Sequence, residues 1–187
     1  MSKSFVPRLI ISFIFSLFLF NAQANELSWK LIQEGNKIIL IRHSLAPGGG
    51  DPKGFKINEC STQRNLSKVG IEQSKNIGKL FKKKKIPIDL VLSSQWCRCK
   101  DTAKYAFGEY KEYTALNSTF QSQYNKNEAK QLKELYNFIN NWNGQGKNLV
   151  LVTHYSIITA VTNVAPSSGE MVITDKDFVV LGTIATD

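Results

Sequence analysis

Short apolar runs alternate along this sequence with longer stretches whose apolar residues recur every three to four positions. The runs rich in Val, Ile and Leu predict six strands: Ile38–Ile41, Asp89–Ser93, Tyr113–Leu116, Asn148–Thr153, Met171–Thr174 and Phe178–Thr183, the last two joined by a turn at Asp175–Asp177. The amphipathic stretches predict helices from the N-cap Ser67 to Phe81 and over Gln95–Gly108, Glu128–Trp142 and Ser156–Asn163. This alternation is typical of a mostly parallel sheet with helices on both faces, so we expect an α/β fold, a three-layer α/β/α sandwich.

The pattern breaks directly after the first predicted strand. Ala46–Gly54 contains three consecutive glycines and an Asp-Pro step, which exclude regular structure there. Beyond this loop, no internal repeat, linker or low-complexity stretch divides the sequence. We therefore expect residues 25–187 to fold as a single domain with one core.

The first 24 residues have a composition of their own. Lys3 and Arg8 precede or border an apolar run of twelve residues, Leu9–Phe20, and the small-x-small tripeptide Ala22–Ala24 follows it. These are the three regions of a secretory signal peptide, and the apolar run is shorter than the ~18 residues that a membrane span needs. We predict a cleaved signal peptide over residues 1–24 and a periplasmic or secreted mature protein, with a retained membrane anchor as the alternative.

The chain is basic, and its mature part stays basic. Removal of residues 1–24 leaves 22 basic and 15 acidic residues, a formal charge of +7. Such a surplus attracts anionic partners, among them small phosphorylated substrates and an anionic envelope surface. No aromatic residue interleaves with the densest run, Lys82–Lys85, so we expect no nucleic-acid partner.

Three cysteines occur, Cys60, Cys97 and Cys99. Export into an oxidising compartment makes one disulfide the expectation, with one thiol left over. The single residue between Cys97 and Cys99 is fewer than the two to four that usually separate zinc-binding cysteines. We expect Cys60 to pair with Cys97 or with Cys99, and no metal site.

Both histidines of the mature sequence follow an apolar predicted strand. His43 comes two residues after Ile38–Ile41, and His154 comes directly after Asn148–Thr153. Ligands of open α/β sheets bind at the carboxyl ends of the strands, where loops and helix starts meet. One histidine at such a position is more often structural than catalytic. Two of two at this edge indicate a functional site.

Two arginines add cations near the same edge. Arg42 precedes His43, and Arg98 follows the predicted strand Asp89–Ser93 by five residues. The planar guanidinium group suits a dianionic phosphoryl group because it donates paired hydrogen bonds and keeps its charge. The pattern predicts an imidazole nucleophile surrounded by cationic donors. For Arg98, a weak surface ion pair with Asp101 or Asp89 is the alternative.

The order and spacing of these motifs resemble the histidine phosphatase superfamily, whose fold is phosphoglycerate mutase-like. Arg42–Ser44 is similar to its Arg-His-Gly signature, Asn65–Gln73 to its Leu-Ser/Thr-x-x-Gly-x-x-Gln helix start, Ser93–Ala103 to its Ser-Ser-x-x-x-Arg-x-x-x-Thr-Ala block, Val152–His154 to its second-histidine strand, and Gly169-Glu170 to its late Gly-Glu pair. The resemblance extends over Ile38–Thr174 and implies that residues 25–187 form a histidine phosphatase domain.

The resemblance also implies a two-step mechanism. His43 would take the phosphoryl group as a phosphohistidine, which water then hydrolyses. Arg42, Arg98 and His154 would hold the phosphoryl oxygens and stabilise their charge. No metal or other cofactor is expected, because the arginines supply the positive charge.

Residues around this catalytic set are assigned less directly. Ser44 replaces the usual glycine and is expected to donate a hydrogen bond to substrate, and Arg64 is a candidate for substrate binding or for a structural ion pair. Many family members carry a proton-donating acid after the third strand, but residues 115–127 contain no Asp or Glu. Asp51 and Glu59 are the candidate donors, with Glu170 behind them, and each is otherwise expected to be a solvated surface acid.

Taken together, these features predict an exported, metal-independent acid-type phosphatase that hydrolyses small phosphomonoesters, such as a sugar phosphate or an envelope-linked phosphate. The missing acid resembles the small phosphohistidine phosphatases, because an imidazole leaves with little help from a donor. A phosphohistidine phosphatase is therefore one alternative. A catalytically silent phosphate-binding protein of the envelope is the other. A mutase is disfavoured, because the short loops would not shield the phosphoenzyme from water.

Overall fold

One six-stranded sheet runs through the computed structural model of this protein, which describes residues 25–186. Its strands are β1 (Ile38–Arg42), β2 (Ile88–Ser93), β3 (Lys111–Glu112), β4 (Asn148–Thr153), β5 (Met171–Thr174) and β6 (Val180–Ile184). The helices are α1 (residues 25–33), α2 (Lys68–Lys83), α3 (Cys97–Phe107), α4 (Ser122–Asn125), α5 (Glu128–Asn141) and α6 (Tyr155–Thr162). Short 3-10 turns lie at Cys60–Thr62 and Thr114–Leu116.

The predicted signal peptide, residues 1–24, lies outside the described residues, as does the terminal Asp187. Within the described part of the chain, no helix combines the length and the apolar character needed to cross a membrane.

The strands follow the order β3-β2-β4-β1-β5-β6 across the sheet. β1 pairs in parallel with β4, β4 with β2, and β2 with β3, whereas β5 and β6 are antiparallel to their neighbours. All of β4 and the first four residues of β1 are buried. Helices on both faces explain why these central strands are continuous apolar runs in the sequence. The predicted mostly parallel sheet is confirmed.

Successive side chains of the central strands point to opposite faces of the sheet. On one face, Ile39, Ile41, Val150 and Val152 pack with Trp29 of α1, Ile77 and Phe81 of α2 and Ala103 of α3. On the other face, Ile38, Leu40, Leu149 and Leu151 pack with Leu135 and Ile139 of α5 and Ile157 of α6. The predicted α/β/α sandwich is therefore confirmed, with β1 and β4 at its centre.

Helix α2 fixes the segment that follows β1. Its N-cap is Ser67, as predicted, whose Oγ accepts a hydrogen bond from the backbone N–H of Gly70 at 3.1 Å. A Cβ atom on Gly70 would lie 2.1 Å from the carbonyl oxygen of Leu45, and one on Gly78 would lie 2.1 Å from that of Ala106. Only glycine permits these approaches. The helix therefore packs directly against both the post-β1 segment and α3.

The predicted third strand, Tyr113–Leu116, was wrong. The strand is Lys111–Glu112, and Thr114–Leu116 forms a 3-10 turn. The backbone N–H of Tyr113 still donates to Ser93 O at 2.8 Å, but Leu116 then turns into the core and is fully buried. Burial beneath the sheet, rather than strand pairing, accounts for the apolar character that predicted a strand.

The last strand and the first helix also differ from the prediction. The last strand was expected over Phe178–Thr183 and begins at Val180, because Phe178 is a turn residue with φ of 59° whose side chain is buried. Helix α1 was not predicted. It packs on the core through Trp29, which is 4% exposed. The helix is short and directly follows the predicted signal peptide in the sequence, so its apolar periodicity was not recognised.

A disulfide joins Cys60 to Cys97, with 5.6 Å between their Cα atoms, and Cys99 is a buried free thiol. This confirms that Cys60 pairs with one of the two later cysteines. The bond links the turn that precedes α2 to the first residue of α3. It therefore fastens the long loop after β1 to the helix that carries Arg98.

Removal of this bond should destabilise the fold. We expect the double variant Cys60→Ser/Cys97→Ser to lose about 2–4 kcal/mol of unfolding free energy, because the bond closes a loop of 37 residues in the unfolded chain. Urea unfolding under oxidising conditions measures the change. A reductant should lower the stability of the wild type and leave that of the variant unchanged. Equal stabilities of the two proteins without reductant would contradict the expectation.

Candidate active site

The two histidines lie side by side at the carboxyl edge of the sheet. β1 and β4 are neighbours in parallel register, with Arg42 opposite Thr153, so the residues that follow, His43 and His154, leave the sheet together. Their ring centroids are 5.5 Å apart, at 67° to each other. The two side chains are almost fully buried. The sheet thus brings together two residues that are far apart in the sequence.

A pocket of about 120 Å³ opens beside these rings. Its lining consists of Arg42, His43, Gly48, Gly49, Gly50, Asp51, Arg64, Arg98, Ser118, Phe120, Gln121, His154, Tyr155 and Ser156. Three arginines, two histidines and one carboxylate therefore share one small volume. The glycine-rich loop after β1 forms one wall, and the start of α6 contributes to another.

His43 is held in one tautomer by the backbone carbonyl of the next residue. Nδ1 lies 2.8 Å from the carbonyl oxygen of Ser44. A carbonyl only accepts hydrogen bonds, so we assign the ring proton to Nδ1, which leaves the lone pair of Nε2 free. Burial, and next the charge of Arg98, hold the pKa of His43 well below its ordinary value of 6.5. The ring is therefore neutral near pH 7.

His154 has the opposite tautomer. Nε2 lies 2.9 Å from Ser94 Oγ, and Nδ1 lies 3.4 Å from Nη2 of Arg98. A guanidinium only donates, so Nδ1 accepts, and Nε2–H donates to Ser94. The Ser94 hydroxyl in turn donates to Oδ1 of Asn117 at 3.1 Å. Burial, then Arg98, also lower the pKa of His154 well below 6.5.

These assignments can be tested directly, because the chain has only two histidines. Nitrogen NMR of histidine-labelled protein should show two neutral rings at pH 6.5, one protonated at Nδ1 and the other at Nε2. On acidification, protonation should begin only below the ordinary imidazole pKa, since both pKa values are lowered. A midpoint at or above 6.5 for His43, or two rings with the same tautomer, would contradict the assignment.

Arg98 projects from the first turn of α3 and is 2% exposed. Its Nη1 donates to both oxygens of Asp51, at 2.8 and 3.1 Å, and the Asp51 side chain is also 2% exposed. The alternative of a surface ion pair with Asp101 or Asp89 was wrong. Nε of Arg98 is buried and has no hydrogen-bond partner among the described residues.

Arg42 ends β1 and reaches the same pocket. Its Nη1 donates to Pro166 O at 2.8 Å, and its guanidinium carbon lies 5.8 Å from the ring centroid of Tyr155. Its Nε is also buried without a partner within residues 25–186. Burial lowers the pKa of Arg42, but a guanidinium keeps its charge. Arg42 and Arg98, which both line the pocket, thus each keep one buried donor without a partner among residues 25–186, which is costly.

Arg64 holds the glycine-rich loop and borders the pocket as well. Its Nε donates to Gly50 O at 2.9 Å and its Nη1 donates to Ala46 O. Its backbone N–H donates to Oδ1 of Asp51 at 3.0 Å. The structural role weighed for Arg64 is visible in these bonds, although its partners are carbonyl oxygens of the loop rather than a side-chain carboxylate. Its position in the lining is compatible with substrate contact.

The structure does not bring Ser44 to the pocket. Its hydroxyl lies 2.8 Å from Oγ of Ser74 on α2, and its backbone N–H donates to Oγ1 of Thr102 at 3.0 Å. The expected hydrogen bond from this hydroxyl to substrate has no geometric basis, since α2 and α3 take up the polar groups of Ser44. Its small side chain instead fits the crossing of β1 with these helices.

The three candidate proton donors have different positions. Glu59 is exposed and forms an ion pair with Lys56 at 2.8 Å, and Glu170 accepts from the backbone N–H of Ser167 at 2.7 Å. Neither is in the lining. Asp51 lies in the lining. The expectation that it is solvated was wrong, because its side chain is buried in an ion pair with Arg98 that the sequence did not predict. The pocket therefore contains one carboxylate, and it is already paired.

Within residues 25–186, the free thiol of Cys99 is not ionised and no cluster of metal-binding side chains is found. Burial raises the pKa of the Cys99 thiol to about 12, so this group stays protonated although its Sγ lies 3.4 Å from Nε2 of His154. Residues 25–186 contain no group of three or more His, Cys, Asp or Glu side chains able to hold a metal ion.

Several pocket residues were not predicted. Ser118, Phe120, Gln121 and Ser156 line the pocket, and Asn117 supports Ser94. Most lie between the 3-10 turn and α5, where the sequence shows no periodicity. Their only signal in the sequence was that most of them follow the mispredicted third strand.

The sheet order and the pocket position define the fold class as phosphoglycerate mutase-like. No protein-family model matches this sequence, and no curated protein sequence does either. Among solved structures, TTHB049 from Thermus thermophilus is similar, with 17% identity, a TM-score of 0.56 and coverage of 80% of this chain and 99% of that one. The protein histidine phosphatase SixA, solved with tungstate, has 12% identity, a TM-score of 0.53 and coverage of 80% and 97%.

A third structure, a protein of Agrobacterium tumefaciens provisionally assigned as a phosphohistidine phosphatase SixA, has 17% identity, a TM-score of 0.56 and coverage of 81% of this chain and 99% of that one. At such identities the likeness establishes a shared fold. It confirms the predicted phosphoglycerate mutase-like architecture over nearly the whole length of each of these proteins.

Proposed function

We propose that this protein is a phosphatase that transfers a phosphoryl group to His43 and then to water. The observation that carries the proposal is the convergence of the Arg42 and Arg98 guanidiniums with two neutral imidazoles in the lining of one pocket. A phosphoryl group has the charge and the acceptor oxygens that suit such paired guanidiniums. The fold shared with the protein histidine phosphatase SixA supports the same conclusion.

The first step forms an N–P bond and breaks an O–P bond. Nε2 of His43 attacks phosphorus, since Nδ1 is engaged with Ser44, and the oxygen of the leaving group takes the bonding electrons and then a proton from solvent water. The side-chain donors of Arg42 and Arg98 stabilise the charge on the transferred oxygens. Water then attacks phosphorus, the N–P bond breaks, and inorganic phosphate leaves with His43 regenerated. We expect no metal to be required, because arginines supply the charge.

We propose a small phosphomonoester as substrate, such as a sugar phosphate or an envelope-linked phosphate, and an exported location. The disulfide between Cys60 and Cys97 supports an oxidising compartment. The signal peptide over residues 1–24 and attraction of the basic chain to an anionic envelope surface belong to the same proposal.

A phosphohistidine substrate is the second candidate, favoured by one observation. Asp51, the carboxylate in the pocket lining, is paired with Arg98 and is therefore not available as a proton donor. An imidazole leaves phosphorus with less need of a donor than an alkoxide does. The shared fold with SixA is compatible with this candidate.

Phosphate release from a panel of substrates tests the proposal. Residues 25–187 are incubated with p-nitrophenyl phosphate, sugar phosphates and phosphohistidine, with and without a chelator. Release that survives the chelator supports a metal-independent phosphatase, and the preferred substrate separates the two candidates. Binding of inorganic phosphate without release from any substrate would instead support a silent phosphate-binding protein and contradict the enzyme.

A further inference from the structure

Asp51 has a role that differs from that of a proton donor, and it rests on the proposed function of the pocket. We infer that Asp51 is the positioning residue of Arg98: it occupies one end of the guanidinium so that the other edge faces the transferred phosphoryl group. The hydrogen bonds of these two side chains carry the inference.

The guanidinium of Arg98 is divided between two tasks. Its Nη1 donates to both oxygens of Asp51. Its Nε and Nη2 share the opposite edge, the fork that binds two oxygens of one anion. Nη2 lies 3.4 Å from Nδ1 of His154, and Nε has no partner in the described chain. This edge of the guanidinium is therefore directed, through Nη2, towards the His154 ring.

Asp51 can hold Arg98 because it is itself held. Besides Arg98, its carboxylate accepts hydrogen bonds from the backbone N–H of Arg64 at 3.0 Å and from Nε1–H of Trp96 at 2.9 Å. Trp96 precedes α3 and packs against the His154 ring, with 5.4 Å between centroids. The carboxylate thus connects the glycine-rich loop to the helix that carries Arg98.

This arrangement is poorly suited to proton donation. A donor must hold a proton and reach the leaving group, whereas Asp51 accepts hydrogen bonds from three residues and is 2% exposed. A negative charge next to Arg98 also opposes the binding of an anion. The presence of Asp51 in the lining is therefore explained by its hold on the Arg98 guanidinium and not by any attraction for the substrate.

The test separates position from charge. Asp51→Asn keeps the shape and removes the negative charge. By charge alone it would strengthen binding of inorganic phosphate, whereas loss of the Arg98 position would weaken it. We expect phosphate affinity, measured by calorimetry, to fall, and kcat/KM to fall by roughly 10- to 100-fold, as when other orienting groups are removed. Unchanged or tighter phosphate binding would overturn the inference even if no substrate is ever turned over.

The leaving group provides a second readout. Arg98 acts on the phosphoryl group, which is common to all substrates. Asp51→Asn should therefore lower kcat/KM by the same factor for p-nitrophenyl phosphate, whose phenolate leaves easily, and for phenyl phosphate, whose phenolate is more basic. A loss that grows with the basicity of the leaving group would identify Asp51 as the donor instead.

Double mutants complete the test. If Asp51 acts through Arg98, Asp51→Asn should have little further effect in an Arg98→Ala background, and fully additive losses would overturn the inference. Trp96→Phe, which removes the indole donor to Asp51 and keeps an aromatic ring beside His154, is a milder second variant expected to lower kcat/KM a few-fold in the same direction. Glu59→Gln is the matched control, an exposed acid of the same loop whose loss should leave kcat/KM and phosphate affinity unchanged.

Discussion

In the His43→Ala variant we expect phosphate release from p-nitrophenyl phosphate to fall by ~10⁴-fold or more, a loss typical of enzymes deprived of their nucleophile. The structure gives the reason. Nε2 of His43 has a free lone pair because Nδ1 donates to Ser44, and the lowered pKa keeps the ring neutral. The second imidazole, His154, cannot replace it, since its Nε2–H is engaged with Ser94.

Rapid quenching gives the sharper measurement. In the wild type, a phosphoprotein that is labile in acid and stable in alkali should accumulate on one of the two histidines, and peptide mapping should locate it on His43. The alanine variant should show none, while its thermal unfolding stays cooperative. Phosphorylation of His154 in the wild type, or substantial turnover by the variant, would refute the proposed mechanism.

Arg98→Ala should have the next largest effect. We expect a loss of roughly a hundredfold or more in kcat, because this change removes a preorganised donor of the transition state. It also leaves Asp51 buried without its cation, which should destabilise the fold by about 3–5 kcal/mol. Both oxygens of Asp51 accept from Nη1 of Arg98, so a change in activity must be separated from a change in folding.

Arg98→Lys makes that separation. A lysine ammonium can still neutralise Asp51 but lacks the planar fork that is directed at the pocket. Its unfolding free energy should therefore lie closer to that of the wild type, while its kcat stays at least roughly tenfold lower. The two quantities are measured by urea unfolding and by initial rates on the same samples. A lysine variant with near-normal turnover would show that the fork of Arg98 is not required.

The central strands were predictable because their environment is uniform. β1 and β4 are buried on both faces, so their sequences are apolar throughout and their ends are marked by polar residues. The same reasoning located His43 and His154 at one edge of the sheet. Helix α2 was predictable from its N-cap Ser67, whose capping bond is local in the sequence.

The errors occur where a residue's role depends on distant partners. Leu116 is apolar because it turns beneath the sheet, and no local pattern distinguishes such a turn from a short edge strand. Asp51 lies in a loop of glycines and prolines, where an acid is normally solvated. Its partner Arg98 is 47 positions away, so the pair could not be found from spacing.

The amino-acid sequence was sufficient to predict the class of fold, the two strand ends that carry histidine, and a disulfide between Cys60 and one of the two later cysteines. These features depend on hydrophobic periodicity, on residue type and on the number of cysteines, all of which can be read from the sequence. The division of Arg98 between Asp51 and the pocket required the folded chain, as did the opposite tautomers of the two imidazoles. Hydrogen bonds have directions and short ranges, and only the packing of the loop after β1 against α3 brings their partners within reach.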